Sequence, residues 1–496
     1  MRKKKLIWNT LVNLAYQAIS VICGFLIPKA ILLRYGSLVN GLVNSSAQFL
    51  GFISLLESGM SAVANASLYT PLANKDYVMV NKIFISAQKF FRKLALVFIV
   101  YVLLLAVIYP VTVKADFSYY YCMLLIIIMA VNIFVQYYFG LSHIIILNAD
   151  QRSYTVKLIQ IAAIILNAML TLLFVKLGCS IHFVKLMSAS AFAIQPILLT
   201  AYNKKRYHLD DKAVIFEEPI KQKWNGLAQH IAFTVTTRTD TIILTFFSTL
   251  ENVSVYGVYN MINTGVVDLF NIMTNGVSPL LGNMLAKHET ELLNNFFEAY
   301  ECFAHAVTTF LFTMTGMLIV PFTAIYTKGV TDADYIVPQF AAVLTIAYAI
   351  RALRTPYNSL VMSAGHFRQT QLSAIIEAVI NISVSLILVM KYGLAGVAAG
   401  TVVAMIYRTI YLAVYVSNNI LYRNVFSFIK YIAVDFMSAV IILWVSRSIY
   451  IPVYSYSGWF SLALKFGIIA FIVTILMNVL FNYKAVIKIA GLIRIK

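Results

Sequence analysis

The sequence predicts an all-α, polytopic membrane protein with fourteen transmembrane helices, arranged as two six-helix lobes with two helices appended. Three observations carry this expectation. Of 496 residues, 61% are hydrophobic and only 11% charged, and the mean hydropathy is +0.83; soluble domains carry about 25% charged residues. Apolar runs of about 20 residues recur from end to end, long enough to cross a bilayer as helices. They are continuous rather than alternating, which argues against a β-barrel. Finally, short stretches of the first half echo in the second at nearly one offset.

In chain order the spans are expected at 7–33, 39–69, 94–112, 119–147, 155–175, 181–202, 224–249, 253–285, 302–326, 337–362, 371–390, 394–416, 429–449 and 458–482. The first follows Arg2-Lys3-Lys4-Lys5 and runs past Pro28 without a small-residue cleavage site, so it reads as an uncleaved span. An even count puts both termini on one side. Of the 38 lysines and arginines, 25 then fall on that side and 6 opposite (Arg34, Lys114, Lys176, Lys328, Lys391, Arg447). The bias favours cytoplasmic termini. It also accounts for the net charge of +19 through loop lysines and anionic membrane lipid rather than nucleic acid.

Two connections stand out. Residues 71–93 place Ile83, Ala87, Phe90 and Phe91 on one helical face, with Lys82, Lys89, Arg92 and Lys93 elsewhere. This predicts an amphipathic helix on the inner membrane surface; the alternative is an extension of the third span. Residues 203–223 form the longest polar stretch and read as a cytoplasmic linker between an N-lobe (1–202, spans 1–6) and a C-lobe (224–416, spans 7–12). Spans 13–14 and a cytoplasmic tail occupy 417–496. The echoes support that division. Val39-Asn40-Gly41 matches Val255-Tyr256-Gly257, Val175-Lys176-Leu177-Gly178 matches Met390-Lys391-Tyr392-Gly393, and Asn167 matches Asn381. The offset covers six helices, so the copies run parallel about an axis normal to the membrane.

Charge sits deep in several spans. Arg351 and Arg354, three apart, share a helix face about 21–26 Å from the outer end of their span at 1.5 Å per residue. Arg408 lies at a similar depth. Each such charge costs about 2.5–3.5 kcal/mol on insertion scales, and arginine does not escape by deprotonating. Guanidinium forks fit phosphate oxygens in pairs, so these arginines point to a cationic pocket for a pyrophosphate head group. The structural alternative is an ion pair within the lobe, Glu377 with Arg408 or Arg351. Arg238 and Asp240, two apart, face different directions. The deep acids Glu57, Asp240, Asp268 and Glu377 suit either coupling of protons or sodium, or service as counter-ions. His143, His230 and His305 stand isolated, and Cys23, Cys122, Cys179 and Cys302 show no ligand spacing, so no metal site is expected. Neither a GxxxxGK[ST] nor a GxSxG stretch occurs, so no cofactor and no enzymatic reaction is expected.

Three stretches carry a resemblance: residues 40–76 (NGLVNSSAQFLGFISLLESGMSAVANASLYTPLANKD), 240–262 (DTIILTFFSTLENVSVYGVYNMI) and 354–389 (RTPYNSLVMSAGHFRQTQLSAIIEAVINISVSLILV). They resemble the bacterial polysaccharide-repeat flippases of the multidrug/oligosaccharidyl-lipid/polysaccharide exporter superfamily. The resemblance covers most of the chain and is weakest over spans 13 and 14. It implies transfer of undecaprenyl-pyrophosphate-linked oligosaccharide across the cytoplasmic membrane by alternating access, through a cationic cavity matched here by Arg238, Arg351, Arg354 and Arg408. It extends to a partner polysaccharide polymerase and assembly proteins. Rival expectations are a flippase for the peptidoglycan precursor and a drug or cation antiporter of the same fold; the antiporter would favour an acidic cavity.

Overall fold

The computed structural model describes residues 2–113, 117–207, 209, 227–274, 276–449 and 455–494. Most of the expected linker 203–223 lies outside them. The described residues are helical throughout, with no strand. Nine helices among them are long and apolar enough to cross a membrane.

The chain divides into two compact units, Met1–Thr234 with Thr249–Ser254, and Val235–Ser248 with Val255–Lys496. The first unit holds α1 (Arg2–Leu50), a 3-10 turn at Gly51–Ile53, α2 (Ser54–Asn74), α3 (Tyr77–Thr112), α4 (Tyr119–Val135), a π-helical turn at Gln136–Gly140, α5 (Leu141–Ala149), α6 (Ser153–Lys176) and α7 (Ile181–Tyr207). The division falls within α8 (Leu227–Phe247) and α9 (Leu250–Thr274). The second unit continues with α10 (Val277–Ala286), α11 (Thr290–Tyr326), α12 (Pro338–Leu353), α13 (Thr355–Ser363), α14 (Phe367–Asn419), α15 (Phe426–Ser446), α16 (Tyr456–Phe481) and α17 (Tyr483–Arg494).

Helix α3 shows how the sequence sorts its faces. Asp76 caps it by accepting from the Met79 amide at 2.9 Å. Phe98, Val102, Ala106 and Tyr109 are buried, while Val100, Leu103, Leu104, Val107 and Val111 are exposed at helical spacing. One stripe meets the unit's core and the other is left for lipid. The same helix corrects the surface-helix expectation for 71–93. Residues 77–93 are the first half of α3, and Ile83, Phe84, Ala87 and Phe91 are buried in the core with Leu125 and Ile146. That apolar face therefore packs on protein rather than on lipid head groups.

Glycines set the breaks. Helix α1 is interrupted at Gly36 (φ 80°) and α14 at Gly393 (φ 53°), both in backbone regions that L side chains avoid. Gly178, the echo of Gly393, also has positive φ (76°). At Gly393 α14 reverses into a hairpin. Its halves meet where a Cβ on Gly396 would lie 2.3 Å from the Leu388 carbonyl oxygen, and one on Gly400 2.2 Å from Ser385 Oγ. Gly396→Ala is therefore expected to push the two halves apart and destabilise the protein by about 1–3 kcal/mol. Gly265→Ala, into open space within α9, is expected to leave thermal unfolding in detergent unchanged or raised. Equal melting temperatures for wild type and Gly396→Ala would contradict the close contact.

A polar knot fastens the terminal end of the first unit. Asp150, between α5 and α6, accepts from Lys5 Nζ at 3.1 Å, Arg152 Nε at 2.7 Å and Tyr207 Oη at 2.7 Å. Burial alone would raise its pKa. The hydrogen bonds from Tyr207, Lys5 and Arg152 together outweigh burial and hold the carboxyl below its ordinary value. A folded value below the unfolded one, about 3.9, stabilises the folded state above about pH 4, and the gain is lost as pH falls through the folded value. Asp150→Asn is expected to lower the melting temperature at neutral pH and to flatten its fall on the acid side of about pH 4. Melting curves that decline in parallel with wild type through that range would refute it.

Candidate functional site

The second unit gathers most of the deep charges, and the α14 hairpin is their scaffold. Thr370, Ser373, Glu377, Asn381 and Ser385 recur every three or four residues along its first half, and all are buried. They share one helix face. Thr401 and Arg408, seven apart on the second half, are buried too. The reversal at Gly393 turns these faces toward each other.

Glu377 is the centre of the arrangement. Its Oε1 accepts from Arg354 Nη1 at 2.5 Å, and its Oε2 lies 3.7 Å from Arg408 Nε. Arg408 also donates to the Thr370 carbonyl at 2.8 Å and to Ser373 Oγ. Its guanidinium is 4% exposed, so nearly every donor must find a protein acceptor. Arg354 sits at the junction of α12 and α13, where Pro356 follows closely and the helix is interrupted. The ion pair foreseen for Glu377 thus takes in two arginines, Arg354 and Arg408. One carboxylate between two guanidiniums leaves a positive charge over.

Arg351 lies on the same helix, half-buried, with its guanidinium carbon 5.9 Å from the centre of the Tyr348 ring. Its charged neighbours are Arg354, Glu377 and Asp268. Tyr348 in turn donates to Asn260 Oδ1.

Asp240 belongs to a separate cluster. It is 3% exposed and accepts from Thr401 Oγ1 at 2.7 Å, Tyr256 Oη at 3.0 Å and Asn381 Nδ2 at 3.4 Å. Asn381 also donates to Thr401 at 2.9 Å, and its own Oδ1 is buried with no hydrogen-bond partner among the described residues. These are hard oxygen donors around a single carboxylate. Their chemistry fits a proton or a small monovalent cation. Two members of this cluster, Tyr256 and Asn381, stand at the echoed positions of the sequence.

Two site residues lie elsewhere. Arg238 is half-buried on α8, two residues from Asp240. Glu57 belongs to the first unit, on α2, where it accepts from Tyr137 Oη and Ser61 Oγ, each at 3.0 Å. Tyr137 sits in the π-helical turn, a local widening often found at functional positions. Sequence reasoning did not single out Thr401, Glu301 or Asp435. The lone acid in the apolar run IKYIAVDFMSAVII was a signal of the same kind that marked Glu377. Glu301 falls one residue before the span expected at 302–326.

No family model and no curated protein sequence matches the chain. Solved structures do. A lipid II flippase, MurJ, in an inward closed conformation aligns with TM-score 0.74 and 16% identity, covering 97% of this chain and 100% of the flippase. This chain shares the MurJ fold. An inward-facing multidrug resistance MATE family transporter of the MOP superfamily aligns at 0.66 and 14% identity, over 82% of this chain and 98% of its own. The MATE multidrug transporter DinF-BH aligns at 0.60 and 15%, over 85% and 96%. The architecture is therefore that of membrane transporters and flippases.

Proposed function

We propose that the chain is a fourteen-span flippase of the bacterial cytoplasmic membrane, moving a polyprenyl-pyrophosphate-linked oligosaccharide between leaflets for export of a surface glycan. The observation that carries this reading is the pair of buried arginines that share Glu377. Arg354 and Arg408 both lie on the single carboxylate of Glu377, Arg351 lies one turn away on the same helix as Arg354, and burying guanidinium groups is costly enough to suit an anionic guest. A pyrophosphate supplies that charge, and its oxygens match the guanidinium fork. Arg238 adds a further cation on α8, and Glu377 holds Arg354 and Arg408 in place between loads.

The helices support the span count. Breaking α1 at Gly36 and α14 at Gly393, and joining segments that continue one another, gives fourteen. Residues 1–202 and 224–416 are then two six-helix lobes joined by 203–223, with α15 and α16 as spans 13 and 14. Alternating access between lobes would carry the head group across while the lipid tail stays in the bilayer. Both termini would be cytoplasmic, next to anionic lipid, with the polymerase and assembly machinery as partners. Coverage supports a flippase over a drug antiporter: the multidrug transporters stop at 82–85% of this chain, whereas the lipid II flippase reaches 97%. Asp240, in its oxygen cluster, offers a seat for a small cation.

That same coverage favours one second reading, a flippase for the peptidoglycan precursor. Depleting the protein and identifying the lipid-linked intermediate retained on the inner leaflet separates the two. A pyrophosphate lipid bearing an oligosaccharide repeat is expected. Accumulation of a peptide-bearing disaccharide lipid would establish the second reading, and no accumulation of any polyprenyl-linked sugar would refute both.

A further inference from the structure

A second buried chain of titratable groups lies in the same unit, away from Glu377. Asp435 on α15 meets His305 on α11, with Oδ2 2.5 Å from Nδ1, and accepts from Thr309 Oγ1 at 2.7 Å through Oδ1. The other ring nitrogen, Nε2, is 3.2 Å from Tyr357 Oη on α13. Tyr357 donates to Glu301 Oε1 at 2.7 Å, and Arg423 Nη2 donates to the same oxygen at 2.5 Å. Glu301, His305 and Tyr357 are each fully buried.

The three bonds of this chain need one hydrogen more than a neutral imidazole and a tyrosine supply. A tyrosine has one hydroxyl hydrogen. Tyr357 spends it on Glu301, whose oxygen is nearer, at 2.7 Å, than the imidazole nitrogen at 3.2 Å. In that arrangement Nε2 carries a hydrogen and donates to the Tyr357 oxygen, while the same spacings with the hydrogen on Glu301 leave Nε2 to accept from Tyr357. At 2.5 Å, Nδ1 and Asp435 Oδ2 must also share a hydrogen, since two bare acceptors would repel. With the hydrogen on Nε2, the His305–Asp435 pair holds one proton more than a neutral imidazole beside a carboxylate. With Glu301 ionised against Arg423, the chain is electrically neutral in this state. Neutral partners complete the surroundings: the Tyr431 ring stacks on the imidazole at 5.2 Å from α15, and Asn478 on α16 accepts from Cys302. Lys488 on α17 is committed to Glu298, one turn from Glu301.

Arg423, which holds Glu301, borders a cavity of about 530 Å³ lined also by Glu298, Lys430, Tyr431, Asn294 and Lys484. Glu301 Oε2 is buried with no hydrogen-bond partner among the described residues, so its carboxylate has acceptor capacity to spare. We propose that His305 and Asp435 form a proton-binding site that couples transport by the second unit to the pH gradient, loaded and unloaded through Tyr357, Glu301 and the cavity. On release, the Nε2–H bond breaks as Tyr357 Oη takes that hydrogen, and the former tyrosine hydrogen passes to Glu301. Imidazolium and carboxylate become neutral imidazole and carboxylic acid. Glu301, beside the cavity-lining Arg423, then passes its proton on to water. Asp435 comes from α15, beyond the two six-helix halves, so the appended helices complete the site. The coupling role rests on the transporter reading; the proton site itself does not.

The test has two arms. The full chain, labelled with nitrogen-15 histidine in lipid nanodiscs, gives ring signals assigned to His305 by their loss in His305→Gln. A hydrogen on Nε2, with another shared between Nδ1 and Asp435, is expected at neutral pH. A ring with a bare Nε2 overturns the site. In cells, collapsing the pH gradient is expected to slow surface-glycan delivery by wild type. Asp435→Asn is expected to lower the gradient-dependent part about 10-fold, a typical coupling effect, at unchanged membrane abundance. Equal fractional inhibition of wild type and Asp435→Asn, or no response in wild type, overturns the coupling. A proton on Nε2 together with no glycan phenotype at all would count against the cargo assignment and leave the site standing.

Discussion

Arg351→Ala is expected to abolish delivery of surface glycan while the protein stays in the membrane at wild-type abundance. Arg351 is half-buried and lies among Arg354, Glu377, Asp268 and the Tyr348 ring. Its removal leaves Glu377 still held by Arg354 and Arg408, so the α14 hairpin keeps its central ion pairs. What disappears is positive charge that a phosphorylated head group would meet. A charge-assisted contact to phosphate is worth about 1.5–3 kcal/mol, so the loss corresponds to roughly 10–100-fold in affinity. Arg351→Lys is expected to recover part of the activity, because it restores charge without the planar fork. Immunoblotting of membranes beside surface-glycan staining decides the matter. Glycan at wild-type level in Arg351→Ala would remove this arginine from the site, and loss of the protein from the membrane would assign it to structure.

Glu377→Gln is expected to act on the fold instead. The change keeps the side chain's volume and deletes its charge. Two guanidiniums, 13% and 4% exposed, would then face each other across a neutral amide. Breaking a buried ion pair from one side costs about 3–5 kcal/mol, a large share of the stability of an ordinary domain. Membrane abundance and melting temperature are expected to fall sharply. Adding Arg408→Met to Glu377→Gln is expected to restore abundance, since it replaces a buried cation by an apolar chain of similar length. Glycan delivery would stay impaired in the double variant. A single Glu377→Gln protein as abundant and as heat-stable as wild type would show that water or lipid head groups, rather than Glu377, compensate these arginines.

The comparison of the two variants separates positions that the sequence could only group. Deep arginines and acids were visible as interruptions of apolar runs, and Glu377 was paired with Arg408 on paper. That Arg354 joins them follows from the break at the α12–α13 junction and the hairpin at Gly393. The Asp240 cluster was half visible: Asn381 and Tyr256 stood out as echoes, while Thr401 looked like an ordinary residue of an apolar helix. His305 was read as isolated because its partner, Asp435, is 130 residues away.

What the sequence alone determined was the number of apolar runs, their order and their helical character. Bilayer thickness is a one-dimensional demand: about 20 apolar residues meet it wherever they occur in the chain. Glycine breaks at 36 and 393 were likewise readable as gaps between runs, because a positive φ is a local property of one residue. The tertiary structure decided which face of each helix turns inward. It buried 77–93 in the core, set two arginines on Glu377, and brought α15 to α11. Those outcomes depend on the rotation of one helix against another, and hydropathy is nearly blind to rotation when every face of a span is apolar.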